Sequence, residues 1–240
     1  MCEVTHDQLL GGRVDYVQPR HGFRSGIEPV LLAAAIPARP GDFVLEAGTG
    51  AGAALLCLAA RIPGIVGVGL ERDPVLVELA RRNGAANFGT DLRFVAGDIE
   101  TFDAARRFDH AFANPPYHGP GTPSPSPPRE AAKRGRPALI SRWTVALCRH
   151  LRKGGTITLI VSAAMWPQAA QGMHEAGCGG LTLFPLWPRE GRPAKLVLLR
   201  GAHDVKSPAR VATGLVMHLS AGGFTEEAEA ILRNAAPIQI

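Results

Sequence analysis

The 240-residue chain carries only four cysteines, and Cys2, Cys57, Cys148 and Cys178 show neither a CxxC nor any paired spacing. That excludes a disulfide framework and a cysteine metal site, and reads as free thiols in a reducing cytosol. Eight histidines include no HExxH and no His/Cys cluster, so no metal is expected. No apolar run reaches membrane-spanning length, and the first residues are polar, unlike a secretory leader; a soluble, cytoplasmic protein with no membrane partner is expected. There is no internal repeat. Nor is there an excess of acid: 26 Lys and Arg face 21 Asp and Glu, giving +5 and a pI near 9.4. Such a balance is compatible with a polyanionic partner without requiring one. With 46% hydrophobic and 20% charged residues, the chain can bury one sizeable core, so residues 1–240 read as a single domain.

What is present gathers at the ends of apolar runs. Phe43-Val-Leu-Glu-Ala47 leads into Gly48, Gly50 and Gly52, and a helix is expected over Ala53–Arg61. Glycines there permit a tight turn and close backbone approach to a ligand. The spacing is E-x-G-x-G-x-G and not the G-x-G-x-x-G of dinucleotide enzymes. An acid before the first glycine repels pyrophosphate but suits an ammonium group, so Glu46 points to a cofactor with a cationic amino-acid end. The next run, Ile65–Leu70, ends at Glu71, 21 residues after Gly50, where a carboxylate can take both ribose hydroxyls. Asp73-Pro74 caps a helix reaching about Asn87. A third run, Leu92–Val95, leads to Asp98, placed to accept from an adenine amine, with Ile99 packing on the base.

The fourth signal is Asn114-Pro-Pro-Tyr117, after the run Phe108–Ala113. The Asn114 side-chain oxygen and the Pro115 carbonyl are acceptors, two prolines fix the backbone, and Tyr117 offers an aromatic face. Together they suit a planar ring carrying an exocyclic amine. Such an amine is a poor nucleophile because its lone pair is delocalised. Holding both its hydrogens out of plane directs the lone pair at an electrophile, which is catalysis by orientation and electrostatics. Four signals at four successive strand ends mark the ligand crevice of an open α/β sheet.

Taken together, Glu46-x-Gly-x-Gly-x-Gly52, Glu71, Asp98 and Asn114-Pro-Pro-Tyr117 resemble the ordered motifs of class I S-adenosylmethionine-dependent methyltransferases that methylate planar amines. Gln18–Leu32, with Gly191–Lys195, Gly214–His218 and Ala230–Arg233, is similar to the bacterial tRNA(Val) adenine-N6 methyltransferases. Departures are Glu28 and Glu46, where relatives usually carry Asp, and Thr49, often Cys. The resemblance implies an α/β, Rossmann-like fold: a seven-stranded, mostly parallel sheet with the last strand antiparallel and helices on both faces. It implies S-adenosyl-L-methionine as cofactor and RNA, tRNA first, as partner. It assigns catalysis to Asn114, Pro115, Pro116 and Tyr117. Cofactor binding falls to Arg24, Gly26, Glu46, Ala47, Gly48, Gly50, Glu71, Arg72, Asp98, Ile99 and Asn114. Ribosomal-RNA guanine-N2 methylation, protein glutamine methylation and a cofactor- and RNA-binding protein without turnover stay open. Against the glutamine reading, the forty residues before the glycine loop leave no room for the helical domain those enzymes usually carry.

Two segments complete the expectation. Residues 1–40 would cover the cofactor and substrate, as loops with short strands followed by a helix opening at Glu28-Pro29. Residues 118–137 form a proline-rich basic loop: eight of the 20 prolines lie within 115–137, which excludes regular structure over most of it. His118, Arg129, Lys133, Arg134 and Arg136 would make a phosphate-contacting rim, with Arg189 and Arg192 a second RNA contact. His110, inside a core strand, reads as structural.

Overall fold

The computed structural model describes residues 3–21, 24–89, 91–115 and 137–240. Its centre is a sheet built from β3 (Phe43–Ala47), β4 (Val66–Glu71), β5 (Leu92–Ala96), β6 (Phe108–Ala113), β7 (Leu151–Ser162), β8 (Cys178–Trp187) and β9 (Leu196–His203). The order across the sheet is β8-β9-β7-β6-β3-β4-β5, and β9 alone among these seven runs antiparallel to its neighbours. The expected seven-stranded sheet is therefore present. It gains two residue pairs at one edge, β10 (Arg210–Val211) and β11 (Leu215–Val216), both parallel to β8.

Strand alternation divides the core in two. Phe112, Ile160 and Leu198 face one side with α1 (Glu28–Ala35), α2 (Ala53–Arg61) and α3 (Pro74–Phe88). Ala111, Leu159 and Leu199 face the other, with α4 (Pro137–Cys148) and α5 (Trp166–Glu175). Helices thus cover both faces, as period-two patterning between two helical layers requires. Helix α3 starts where expected: the Asp73 carboxylate accepts from the Val75 N–H at 2.8 Å, with Pro74 at its first position. Along it Val75 is 49% exposed, and Val77 takes the buried position.

The N-terminal segment is more ordered than its sequence suggests. β1 (Val4–Leu9) and β2 (Val14–Pro19) form an antiparallel hairpin pinned to α3 by two asparagines. Asn83, buried, accepts from the Val17 N–H at 3.0 Å and donates to the carbonyls of Val17 and Ala51 at 2.8 and 2.9 Å. Asn87 pairs with both backbone groups of Asp15. The closing helix α6 (Glu226–Asn234) packs on the hairpin turn and on α1. A second difference lies at Lys153-Gly154-Gly155, whose paired glycines by themselves read as a turn. β7 runs straight through it, with a register shift against β6 between Phe108 and His110. A side chain at Gly155 would meet the Asp109 carbonyl at 2.9 Å, so the shift is tolerated only by glycine.

Candidate active site

Strand register puts the four signals side by side. Ala47 pairs with Ala113 across β3 and β6, and with Leu70 across β3 and β4, while Glu71 pairs with Ala96. Asn114, Gly48, Glu71 and Gly97-Asp98 therefore emerge in a row along the C-terminal edge. At an inter-strand spacing of about 4.8 Å, the row from Asn114 to Asp98 spans roughly 14 Å, the reach of an extended nucleoside with an amino-acid tail.

The glycine loop is held from both sides. Gly48 (φ +67°) lies against Trp143 of α4, whose Cη2 would be 3.0 Å from an added Cβ, and Gly52 lies against Phe94. Gly50 (φ +58°) differs: an added Cβ would meet nothing within 4 Å, so its face is open at the row. Glu46 lies beneath the loop, 3% exposed. One oxygen, Oε2, accepts from Thr49 Oγ1 at 2.6 Å and from the Leu55 N–H at 3.2 Å. Burial pushes its carboxyl up to about 8, against the pull of those two bonds and with the Glu71 charge adding to the rise. Glu46 thus ties the strand end, the loop and the first turn of α2 together.

Glu71 spans the opposite side. Its Oε2 accepts from the Gly50 N–H at 3.0 Å, and its Oε1 accepts from the N–H groups of Arg72 and Asp73 at 2.8 and 3.0 Å. Three donors on a carboxylate with about four acceptor positions leave room for a ligand hydroxyl. Asp98 accepts from the Glu100 N–H at 2.9 Å and lies 3.4 Å from the Arg72 guanidinium. Arg72 is largely exposed, which makes this a weak pair. Asn114 is half-buried and Pro115 buried; no group among the described residues hydrogen-bonds the Asn114 side chain.

Ile99 lies apart from the other residues of the row. A helical turn after Asp98, with the Phe102 N–H donating to the Asp98 carbonyl at 2.8 Å, rotates Ile99 into the core at 4% exposure. Its side chain lies with Leu45, Leu70 and Phe108 and not along the ligand row. Arg24 is tied to the hairpin through Asp7 and Thr5, at 3.1 and 2.8 Å. Ser25 and Gly26 follow it past Tyr16, whose hydroxyl is 3.0 Å from Ser25 Oγ. Burial first, then the nearby Glu46 charge among others, raises the Tyr16 phenol above its ordinary value, so this segment passes close to the foot of the loop.

Arg189 and Arg192, both exposed, lie in the β8–β9 connection. Because β8 is parallel to β7 and β6, that connection opens on the same sheet edge as Asn114. Pro116, Tyr117, His118, Arg129, Lys133, Arg134 and Arg136 lie outside the described residues. The contact of Trp143 with Gly48 follows from α4 returning beneath the loop and carries no local sequence signal. His110 is structural: Nδ1 is 2.8 Å from Thr156 Oγ1 and Nε2 is 3.1 Å from Asp42, at the opposite end of β6 from Asn114.

The fold is the one seen in methyltransferases of known structure, and residues 44–137 match a family model described as a methyltransferase domain. A predicted O-methyltransferase of known structure from Agrobacterium tumefaciens superposes with a TM-score of 0.74 at 21% identity, covering 88% of this chain and 98% of its own. A tRNA1(Val) (adenine(37)-N6)-methyltransferase from Aeromonas salmonicida is 30% identical over 213 residues, 86% of this chain and 87% of that protein. A protein of the same name from a Flavobacteriaceae bacterium is 36% identical over 101 residues, and there this chain spans 44% of its relative's length. The chain belongs to the tRNA1(Val) (adenine(37)-N6)-methyltransferase family.

Proposed function

We propose that this protein transfers a methyl group from S-adenosyl-L-methionine to the N6 amine of an adenine in RNA, with tRNA(Val), at the adenine beside the anticodon, the first substrate to test. The observation that carries the reading is the unpartnered Asn114 amide one strand from the open Gly50 loop, in a chain whose relatives are named for this reaction. The residues present fit the cofactor. Gly50 leaves a face that a Cβ would occupy, Glu71 keeps acceptor capacity for a ribose hydroxyl, and Asp98 can take an adenine amine at the far end. When bound, S-adenosyl-L-methionine supplies a methyl group on a positively charged sulfur. The amino-acid end falls at the loop over Glu46, whose buried carboxyl ionises more readily beside a cation. Arg24 and Gly26 border that end.

Asn114 and the Pro115 carbonyl accept the two N6 hydrogens of the target adenine, and Tyr117 stacks on its ring. This orients the nitrogen lone pair along the row toward the loop, and the amine loses its proton to solvent as the new bond forms. The adenine is flipped from its loop to reach Asn114. Flanking phosphates meet Arg189 and Arg192, and the basic residues of 118–137 are read from the sequence as adding further phosphate contacts. The test is incubation with labelled S-adenosyl-L-methionine and, in parallel, total tRNA, ribosomal RNA and the protein fraction from a strain lacking the gene, followed by nucleoside mass spectrometry of the RNA and label counting in the protein. N6-methyladenosine confined to one tRNA is expected. Asn114→Ala should abolish it. Label appearing only as N2-methylguanosine in ribosomal RNA, or only in protein, overturns the substrate; no turnover beside intact donor and RNA binding overturns the enzyme.

A further inference from the structure

At the other end of the sheet lies a second concave site that the methyl-transfer reading leaves unused. It is an open cavity of about 570 Å³, within the size range of sites that hold small organic ligands. The Phe108 N–H donates to the His150 carbonyl at 2.8 Å, which fixes His150 at the start of β6. Six strand residues, roughly 20 Å, separate it from Asn114.

The lining is chemically biased. Arg107 and Arg149 bring two guanidinium groups and Asp103 the single acid. Neither arginine has a carboxylate within ion-pair distance among the described residues. Arg107 is instead set in place by donating to the Arg149 carbonyl. Two imidazoles complete the wall. His150 is 6% exposed, lies 5.4 Å from the Phe102 ring, and its ring has no hydrogen-bond partner among the described residues. His203 presents a buried Nδ1, likewise unpartnered. Ordinary surface arginines are solvated and need no explanation. The unpaired, buried Nδ1 of His203 beside them does, because it forgoes a bond it would make in water. A bound anion with several acceptor oxygens would answer both, and the Phe102 ring offers an apolar face beside it.

We propose that this cavity binds a small phosphorylated ligand of nucleotide size, its phosphoryl group held by Arg107, Arg149 and the two histidines and its ring against Phe102. The probe is uridine monophosphate, which lacks the adenine that the methyl-donor site would recognise. Calorimetry on the full chain should show saturable binding, tighter for uridine monophosphate than for inorganic phosphate by about tenfold. Arg149 is exposed, so Arg149→Glu should fold normally; it should weaken both ligands at least about tenfold while leaving S-adenosylhomocysteine binding unchanged. Phe102→Ala should weaken the nucleotide and spare phosphate. Absence of saturable binding up to about 10 mM, or an affinity that Arg149→Glu leaves within about twofold, overturns the site. Equal affinity for phosphate and nucleotide overturns the nucleotide-sized ligand. Displacement of uridine monophosphate by a 5′-hydroxyl RNA oligonucleotide at lower concentration assigns the cavity to an RNA backbone and overturns the small ligand.

Discussion

Replacing Glu46 with glutamine should stabilise the ligand-free protein and flatten its response to pH. Burial holds this carboxyl at about 8, against an ordinary value of 4.5. Below pH 4.5 the group is protonated in both folded and unfolded chains, and its effect cancels. Between 4.5 and about 8 the unfolded chain has released the proton that the folded chain retains, so stability falls as pH rises; above about 8 the full cost applies. At about 1.4 kcal/mol per pH unit, that cost is roughly 5 kcal/mol at its limit and about 3 kcal/mol at pH 7. Glutamine has the same shape and is neutral throughout, and its amide oxygen can accept from both Thr49 and Leu55. A gain of about 3 kcal/mol in a chain of this size corresponds to roughly 6–12 °C in Tm at pH 7, shrinking to none near pH 4.5. The assay is thermal unfolding from pH 4.5 to 8.5 without ligand, wild type beside Glu46→Gln. Parallel curves, or a variant less stable at pH 8, would refute the reasoning. The same logic bears on donor binding: a cationic donor that draws Glu46 into its ionised form releases a proton on binding below pH 8. Calorimetry in buffers of differing ionisation enthalpy should detect that proton in the wild type and not in Glu46→Gln.

Gly50→Ala should cost about 1–2 kcal/mol of stability because its φ of +58° disfavours an L side chain. Its methyl group would project into the open face of the loop, so the dissociation constant for S-adenosylhomocysteine should rise at least about tenfold by calorimetry. Asn83→Ala removes three hydrogen bonds from a buried amide, for roughly 2–4 kcal/mol. Hydrogen exchange should then accelerate across β1 and β2 while β3 and β6 stay protected; unchanged hairpin protection would contradict the clamp. Burial outweighs the Asp42 and Asp109 charges to hold His110 below 6.5, with Arg152 adding to the lowering. As pH falls through 6.5 the unfolded chain protonates first and stability declines. Urea unfolding at pH 7 and pH 5 should show a smaller loss in His110→Gln than in wild type.

The sequence by itself determined most of the sheet and the order of its ligand-facing ends. Apolar runs of strand length followed by Glu46 and the glycines, Glu71, Asp98 and Asn114 carry that information locally, since strand, turn and cap preferences act over a few residues. Helix α2 falls at the expected Ala53–Arg61 for the same reason. The hairpin over 4–19 was not legible as such, because its clamp lies in the distant α3: Asn83 and Asn87 stand more than sixty residues away, and no pattern in either segment names the other. Likewise the run through Lys153-Gly154-Gly155 reads as a turn until β6 supplies the ladder that makes it strand. Side-chain direction was the other decision left to the tertiary structure. It turned Ile99 into the core, bent one Glu46 oxygen back to Thr49 and Leu55, brought Trp143 beneath Gly48, and placed Arg189 and Arg192 on the edge that carries Asn114. Local sequence can say which residues stand at a strand end. Only packing, by fixing which neighbours compete for each polar atom and which faces are closed to water, decides where those residues point.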